Sequence, residues 1–99
     1  MDYQVGLTEE AQTDLGRVVR FLAENSPEAA ARIGHELLDA ALTLTEFPRR
    51  GSPVRRRPGL RKLTHRHYLI FYQVNDAASW VEVVRIWDGR QNPTSLRLP

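Results

Sequence analysis

The densest group of residues that could do chemistry is a run of cations between residues 47 and 66, FPRRGSPVRRRPGLRKLTHR. It holds eight of the chain's fourteen Lys and Arg residues, and no acidic residue interrupts it. The eight are Arg49, Arg50, Arg55, Arg56, Arg57, Arg61, Lys62 and Arg66. Arginine's planar guanidinium suits bidentate contact with carboxylate or phosphate. The run therefore predicts an anionic partner rather than a merely solvated loop, but charge alone does not choose between RNA, DNA and protein.

Two histidines lie beside this run, at alternate positions of a predicted strand. Alternation would place the imidazoles of His65 and His67 on the same face. Such a pair could ligate a metal, or act as general base and acid on RNA. A metal site would need further ligands, yet the chain has no Cys and few nearby Asp or Glu residues. We therefore predict no metal, and we interpret both histidines as exposed strand residues.

Other catalytic patterns are missing from the sequence. It has no glycine-rich phosphate loop, nucleophile elbow or paired catalytic carboxylates. Five aromatic residues could stack nucleobases on a sheet face. With only eight aromatic residues in the chain, we expect them to fill the core instead. These five are Tyr68, Phe71, Tyr72, Trp80 and Trp87.

Hydrophobic periodicity predicts a strand, two helices and three more strands. Thr8 precedes acidic residues and an apolar stripe at helical spacing, so it should cap the first helix. Asp14 and Arg17 lie outside that stripe, one turn apart, and can pair. The predicted elements are a strand over 2–7, helices from Thr8 to about Asn25 and from Ser26 to Phe47, and strands over 60–66, 67–74 and 80–87.

This order defines the fold class. A β-α-α-β-β-β chain predicts an α+β domain, in which an N-terminal strand leads to an antiparallel two-helix hairpin packed on one face of a mostly antiparallel β-sheet. Residues 67–74 are apolar on both faces, as in a central strand covered on both sides. At 99 residues, the chain makes one domain spanning 1–99.

Composition limits the classes of protein. No apolar run is long enough for a membrane span, and the N-terminus lacks the pattern of a secretory signal. The absence of cysteine fits a reducing cytoplasm. Residues 1–48 carry nine acids and three bases, whereas residues 49–99 carry eleven bases and three acids. The second half of the chain should therefore present a positive field.

Four stretches, taken in order, resemble the ParE branch of the RelE/ParE toxin superfamily. They are the helix start SPEAAAR, the turn EFPRRG, the strand HYLIFYQV and the closing GRQNP. The resemblance covers nearly the whole chain. It implies the toxin of a type II toxin–antitoxin pair, with growth inhibition and plasmid stabilisation as its effects. The implied partner is a cognate antitoxin with an acidic C-terminal segment, and no cofactor is implied.

The resemblance implies two possible targets. The ParE branch inhibits DNA gyrase by binding, whereas the RelE branch cuts mRNA in the ribosome. When the catalytic positions of the RelE branch are compared with this sequence, its two lysines correspond to Leu60 and Lys62. One of its arginines corresponds to Leu69, and another is matched by Arg90. The RelE branch also has a terminal Tyr or His that acts as acid or base. This chain has no equivalent, because no Tyr follows Tyr72 and no His follows His67. Asp88 stands where the family often has His.

These departures predict a gyrase inhibitor rather than an enzyme. The alternative is a ribosome-dependent endoribonuclease with Lys62, His65, His67 and Arg90 as its site, and a third reading is a binding module without toxic activity. The residues predicted to bind the antitoxin or the target, with possible contact to nucleic acid, are Arg49, Arg50, Arg55, Arg56, Arg57, Arg61, Lys62, Arg66, Arg90 and Arg97.

Overall fold

The computed structural model describes residues 2–92 and 95–99. The predicted order of elements is confirmed, with one additional short strand before the predicted three. The elements are β1 (Gln4–Leu7), α1 (Glu9–Ala23), α2 (Pro27–Leu42), a 3₁₀ turn (Thr43–Thr45), β2 (Ser52–Pro53), β3 (Leu60–His65), β4 (Tyr68–Asn75) and β5 (Trp80–Asp88).

Both helices start where the sequence predicts. The hydroxyl of Thr8 accepts a hydrogen bond from Ala11 N at 3.1 Å, and that of Ser26 accepts one from Ala29 N at 3.1 Å. These bonds satisfy amides that have no partner within the first turn. The second helix ends at Leu42, earlier than predicted, because the chain tightens into the 3₁₀ turn before it reaches Phe47.

The sheet has five strands in the order β1-β5-β4-β3-β2. Strand β1 runs parallel to β5, and the remaining neighbours are antiparallel. A register shift interrupts the β4–β5 pairing between Phe71 and Tyr72. Strand β4 is central, as its apolar residues on both faces predict.

The two helices cover one face of the sheet. The fully buried side chains between the two layers include Leu37, Leu44, Ile70 and Tyr72. On the other face, Leu60, Phe71 and Val84 form a smaller apolar cluster, against which Leu96 and Leu98 pack. The predicted helical hairpin on one face is confirmed, and the described part of the C-terminal segment covers part of the other face.

The aromatic residues of β4 are core residues, as expected. Tyr68, Phe71 and Tyr72 are at most 4% exposed, whereas Trp80 on β5 is 36% exposed. Three buried rings in the central strand therefore pack the core and present no face on which a base could stack.

Helix α1 is attached to the edge of β5 by polar contacts. Beyond the end of β1, Thr8 N donates to Val83 O at 3.0 Å, and the carboxylate of Asp14 accepts from Ile86 N at 3.0 Å. The helix thus continues the hydrogen bonding of β5 where β1 stops. Among the described residues, no helix is long and apolar enough to cross a membrane.

Candidate partner-binding surface

The basic run folds into a compact loop, residues 54–60, which we name the arginine turn. Three backbone hydrogen bonds close it: Val54 N to Leu60 O at 2.9 Å, Arg57 N to Val54 O at 3.2 Å, and Leu60 N to Arg57 O at 3.0 Å. Val54 packs on the apolar cluster that contains Leu60. The loop is therefore held at its base, while its middle projects into solvent.

Arg56 at the tip of the arginine turn has a left-handed backbone, with φ of 63°. For residues other than Gly, Asn and Asp, this conformation costs about 1–2 kcal/mol. Within the described part of the chain, no hydrogen bond or ion pair holds the side chains of Arg55, Arg56 or Arg57, and all three residues are exposed. The turn thus presents three guanidinium groups that have no intramolecular partner there.

The base of the basic run is fixed by a buried tyrosine. Gly51 N donates to Tyr72 Oη at 2.9 Å, and a Cβ at residue 51 would lie 2.7 Å from that oxygen and 2.7 Å from Lys62 O. Burial raises the pKa of Tyr72, although the bond from Gly51 opposes the shift. Arg61 donates to Gly51 O at 2.6 Å and to Arg49 O at 3.2 Å. Arg61 therefore supports the loop, and its charge is committed to backbone oxygens.

Arg49 belongs to a polar cluster at the end of the β4–β5 hairpin. Its guanidinium lies 2.5 Å from Asp76 Oδ2, and Tyr3 Oη donates to Asp76 Oδ1 at 2.6 Å. The hydrogen bond from Arg49, followed by that from Tyr3, lowers the pKa of Asp76. This cluster joins Tyr3, the residue before β1, to the basic run and largely neutralises Arg49.

The β3–β4 turn is fixed to α2 through Glu36. His65 Nε2 lies 2.7 Å from Glu36 Oε1, and Arg66 approaches the same carboxylate at 2.8 and 3.2 Å. Hydrogen bonds from Arg66 and His65 lower the pKa of Glu36 to about 2. Arg66 also has a left-handed backbone, with φ of 56°, and in its case the side chain has an intramolecular partner.

His67 lies on the other side of the turn from His65 and faces a different carboxylate. Its Nε2 is 3.8 Å from Asp88 Oδ1, and it is buried without a hydrogen-bond partner among the described residues. The prediction that both imidazoles project from one strand face is wrong, because β3 ends at His65 and residues 66 and 67 form the turn. The two rings therefore do not form one base–acid pair.

Asp88 also holds Arg90. Its carboxylate accepts from Arg90 N at 2.9 Å and from the Arg90 side chain at 3.2 Å. Partial burial raises the pKa of Asp88, but the bonds from Arg90 outweigh it, so the net shift is downward. Asp88, which stands where the resemblance leads one to expect His, thus anchors Arg90 at the end of β5.

The ten predicted binding residues fall into two groups. Arg49, Arg61, Arg66 and Arg90 bind carboxylates or backbone oxygens, and Arg50 donates to the Thr43 hydroxyl at 2.8 Å. Within the described residues, the other five side chains have no hydrogen bond or ion pair. They are Arg55, Arg56, Arg57, Lys62 and Arg97.

The two cations that could hold a scissile phosphate are held at different strands of the sheet. Lys62 of β3 is paired with Phe71 of β4, and Phe71 is paired with Arg85 of β5. Arg90 is bound to Asp88, which is paired with Tyr68 at the other end of the β4–β5 ladder. Two strand spacings and three residues along the strands place the Cα atoms of Lys62 and Asp88 about 14 Å apart. The described residues also assemble no group of three or more potential metal ligands.

Sequence reasoning missed the role of Asp14. Although it lies outside the apolar stripe of α1, it is only 4% exposed, and it accepts from Arg85 Nε at 2.7 Å and from another nitrogen of that side chain at 3.1 Å. Its contact with Arg17 is longer, 3.6 Å. The available signal was Arg85 itself, since a lone cation in the apolar strand WVEVVRIW needs an acidic partner.

Comparisons with known proteins agree with this fold. Toxin RelE1 of Caulobacter vibrioides is 39% identical over 94 residues, covering 90% of this chain and 96% of that protein. The RelBE2 toxin–antitoxin complex from Mycobacterium tuberculosis contains a chain that matches with a TM-score of 0.69 and 26% identity, over 87% of this chain and 96% of that one. A chain of the chromosomal ParDE system from P. aeruginosa has the same fold, with a TM-score of 0.71 and 19% identity, over 85% and 92% of the two chains.

The fold and these relatives define the class: a type II toxin of the RelE/ParE superfamily. Within that class, the chain belongs to the family described as the ParE toxin of the type II toxin–antitoxin system parDE, whose model matches residues 5–93.

Proposed function

We propose that this toxin inhibits DNA gyrase by binding it, and that a cognate antitoxin neutralises the toxin. The observation that carries the proposal is that three of the four residues that RNA cleavage would require face carboxylates of the toxin itself. His65 is bound to Glu36, Arg90 is bound to Asp88, and His67 faces the same Asp88. The Cα of Lys62 lies about 14 Å from that of Asp88, to which Arg90 is bound.

Ribonuclease chemistry requires proton transfers at both the attacking and the leaving oxygen. Each positioned acid or base typically contributes a factor of about 10² to 10⁴ in rate. His65 is the histidine closest to Lys62 in sequence, but its ring is turned toward α2 and bound to a carboxylate. His65 is bound to one carboxylate and His67 faces another, so neither ring is placed beside Lys62 as a base, which supports binding over cleavage.

The arginine turn is the proposed contact with the antitoxin. Its three guanidinium groups, which have no partner among the described residues, suit the carboxylates of an acidic segment, since charge-assisted bonds to carboxylates are short and strong. Lys62 and Arg97, whose side chains also have no partner in the described part of the chain, are proposed as further contacts with the antitoxin. Solved structures of related toxins include toxin–antitoxin complexes, which supports a protein partner. Released from the antitoxin, the same cations would be available to gyrase or its DNA.

The test is a supercoiling assay with purified gyrase, run beside ribosome-programmed mRNA cleavage on the same toxin preparation. We expect inhibited supercoiling and intact mRNA. The mRNA assay is run in parallel because a relative carries the name RelE1. Cut mRNA with unaffected gyrase would overturn the proposal. His65→Ala/His67→Ala should retain toxicity, since neither ring has a catalytic role in this proposal. Both candidate targets are cytoplasmic, so we place the toxin in the cytoplasm.

A further inference from the structure

A small cleft lies between α1 and the end of β5. Its volume is about 150 Å³, and its apolar walls include Val18, Phe21 and Ile86. Among the described residues that line it, none is one of the ten predicted to bind the antitoxin or the target. The cleft is therefore separate from the proposed antitoxin contact.

Tyr68 places a hydroxyl in this cleft. The residue is only 3% exposed, and its hydroxyl has no hydrogen-bond partner in the described part of the chain. Burial, followed by the negative charge of Asp88, raises the pKa of Tyr68, so the hydroxyl keeps its proton at neutral pH. The orphaned nitrogen atoms of His67 and Trp87 are enclosed by protein, but the hydroxyl of Tyr68 is not. Because a buried tyrosine hydroxyl usually has a partner, a molecule in the cleft can supply the one that is missing.

The charges around the cleft select against ions. The two carboxylates that line it are those of Asp14 and Asp88, whose side chains are 4% and 15% exposed. Asp14 accepts from Arg85, and Asp88 accepts from Arg90, so each carboxylate already has a guanidinium partner. An anion would be repelled by the carboxylates, and a cation would compete with these arginines and lose its hydration among apolar walls. The cleft therefore favours a neutral ligand.

The size and the polar atoms of the cleft define the ligand further. A cavity of about 150 Å³ with apolar walls can hold a benzene ring. Phe21 is 60% exposed, so its ring is free to pack edge-to-face against a second one. The carboxylate oxygens only accept hydrogen bonds, whereas the hydroxyl of Tyr68 both donates and accepts. A ligand that carries an O–H or N–H can therefore bond to any of these groups.

We propose that this cleft binds a neutral molecule with a single aromatic ring and an O–H or N–H donor, of the size of phenol. The ring would lie among Val18, Phe21 and Ile86, and its donor would bond to Tyr68 or Asp88. In that position the molecule contacts both α1 and β5, and it stabilises the folded state in which they pack together. This binding is independent of the toxin's target.

The test is a titration of the full chain with phenol, followed by ¹H–¹⁵N NMR. We expect shift changes centred on the amides of Val18, Tyr68 and Ile86, and a dissociation constant on the order of 1 mM, as a ligand of this size allows. Anisole lacks the donor and should bind about fivefold more weakly. Benzoate and benzylamine carry charges of opposite sign, and each should bind at least about tenfold more weakly than phenol.

Tyr68→Phe tests the hydroxyl itself. It should weaken phenol binding about fivefold and bring phenol level with anisole. The unfolding midpoint should stay near that of the wild type, because the hydroxyl has no intramolecular partner among the described residues. Tyr3→Phe is the matched control: it removes a hydroxyl that is bonded to Asp76, outside the cleft, and it should leave the affinity for phenol unchanged.

N-acetyl-tyrosinamide carries the same ring on a peptide backbone, for which a cleft of about 150 Å³ has no room, so it should bind more weakly than phenol. Tighter binding of this compound would assign the cleft to a tyrosine of a partner protein and overturn the proposal. Three other results would also overturn it: phenol that shifts none of these amides, benzoate or benzylamine that binds as well as phenol, or equal affinities for phenol in the wild type and Tyr68→Phe.

Discussion

Two arginines in left-handed backbone conformation, at opposite ends of β3, differ in what holds them. Arg66 folds back onto Glu36, so its ion pair offsets the cost of the conformation. Arg56 has the same kind of backbone, but its side chain has no intramolecular partner among the described residues. Strained residues that persist without a local reason concentrate at functional sites. The contrast supports the choice of the arginine turn as the contact surface.

The first prediction concerns Arg56. Asparagine tolerates left-handed backbone because its short side chain can bond locally, so Arg56→Asn should raise the free energy of unfolding by about 1 kcal/mol. The same variant should bind the antitoxin more weakly, because one guanidinium is lost. Urea denaturation and a binding titration measure the two effects.

Arg66→Asn is the matched comparison for this prediction. It removes the same kind of backbone strain, but it also removes the ion pair with Glu36. It should therefore gain less stability than Arg56→Asn, or lose stability. An Arg56→Asn variant that unfolds more readily than the wild type would show that the arginine contributes to the fold and is not strained for binding.

At the scale of elements, carboxylates fix the helices to the sheet at two points. Asp14 joins α1 to β5 through Arg85, and Glu36 joins α2 to the β3–β4 turn through Arg66 and His65. The first carboxylate is buried, whereas the second is 27% exposed. The second contact can therefore be titrated from solvent.

The second prediction is a pH dependence of stability at this contact. Since folding lowers the pKa of Glu36 from 4.5 to about 2, its contribution is complete above pH 4.5 and is lost as the pH falls through about 2. Glu36→Gln should remove this part of the dependence. Unfolding midpoints of both proteins between neutral pH and about pH 2 should therefore converge in acid. Parallel curves throughout would show that Glu36 does not couple protonation to folding.

The sequence predicts the helices and strands that are marked by residues within or directly beside them. Thr8 and Ser26 mark the helix starts, and the apolar residues on both faces of HYLIFYQV mark a central strand. The burial of Asp14 was not predictable from α1 alone, because its partner Arg85 is 71 residues away. The two-residue strand β2 has no periodicity to detect. The division of the cations into partnered and unpartnered groups also depends on contacts between distant residues, such as Arg49 with Asp76.

At the scale of the whole molecule, charge is separated along the chain and then partly recombined by folding. Acidic residues from the first half neutralise Arg66 and Arg85, and Asp76 and Asp88 neutralise Arg49 and Arg90. The remaining positive field is concentrated at the arginine turn, with Lys62 and Arg97 as further contributors. The antitoxin interaction should therefore be electrostatic and sensitive to salt.

The third prediction is that Arg55→Glu/Arg56→Glu weakens antitoxin binding by at least about tenfold and reduces its dependence on salt. Arg20→Glu/Arg32→Glu makes the same change in net charge on exposed positions of α1 and α2, and it should have a much smaller effect. Calorimetry or surface plasmon resonance at several salt concentrations measures both. Binding that does not change with salt, or equal losses in the two variants, would contradict the role of the arginine turn.

The parallel pairing of β1 with β5 has a consequence for synthesis. β1 ends at Leu7, and its partner begins at Trp80. At about 5–20 residues per second, a ribosome needs roughly 4–15 s to make the intervening chain. During that interval the first strand has no neighbour, and β4 lacks the strand that separates it from β1. A newly made chain therefore spends several seconds with an incomplete sheet, which is completed only when β5 is inserted between β1 and β4.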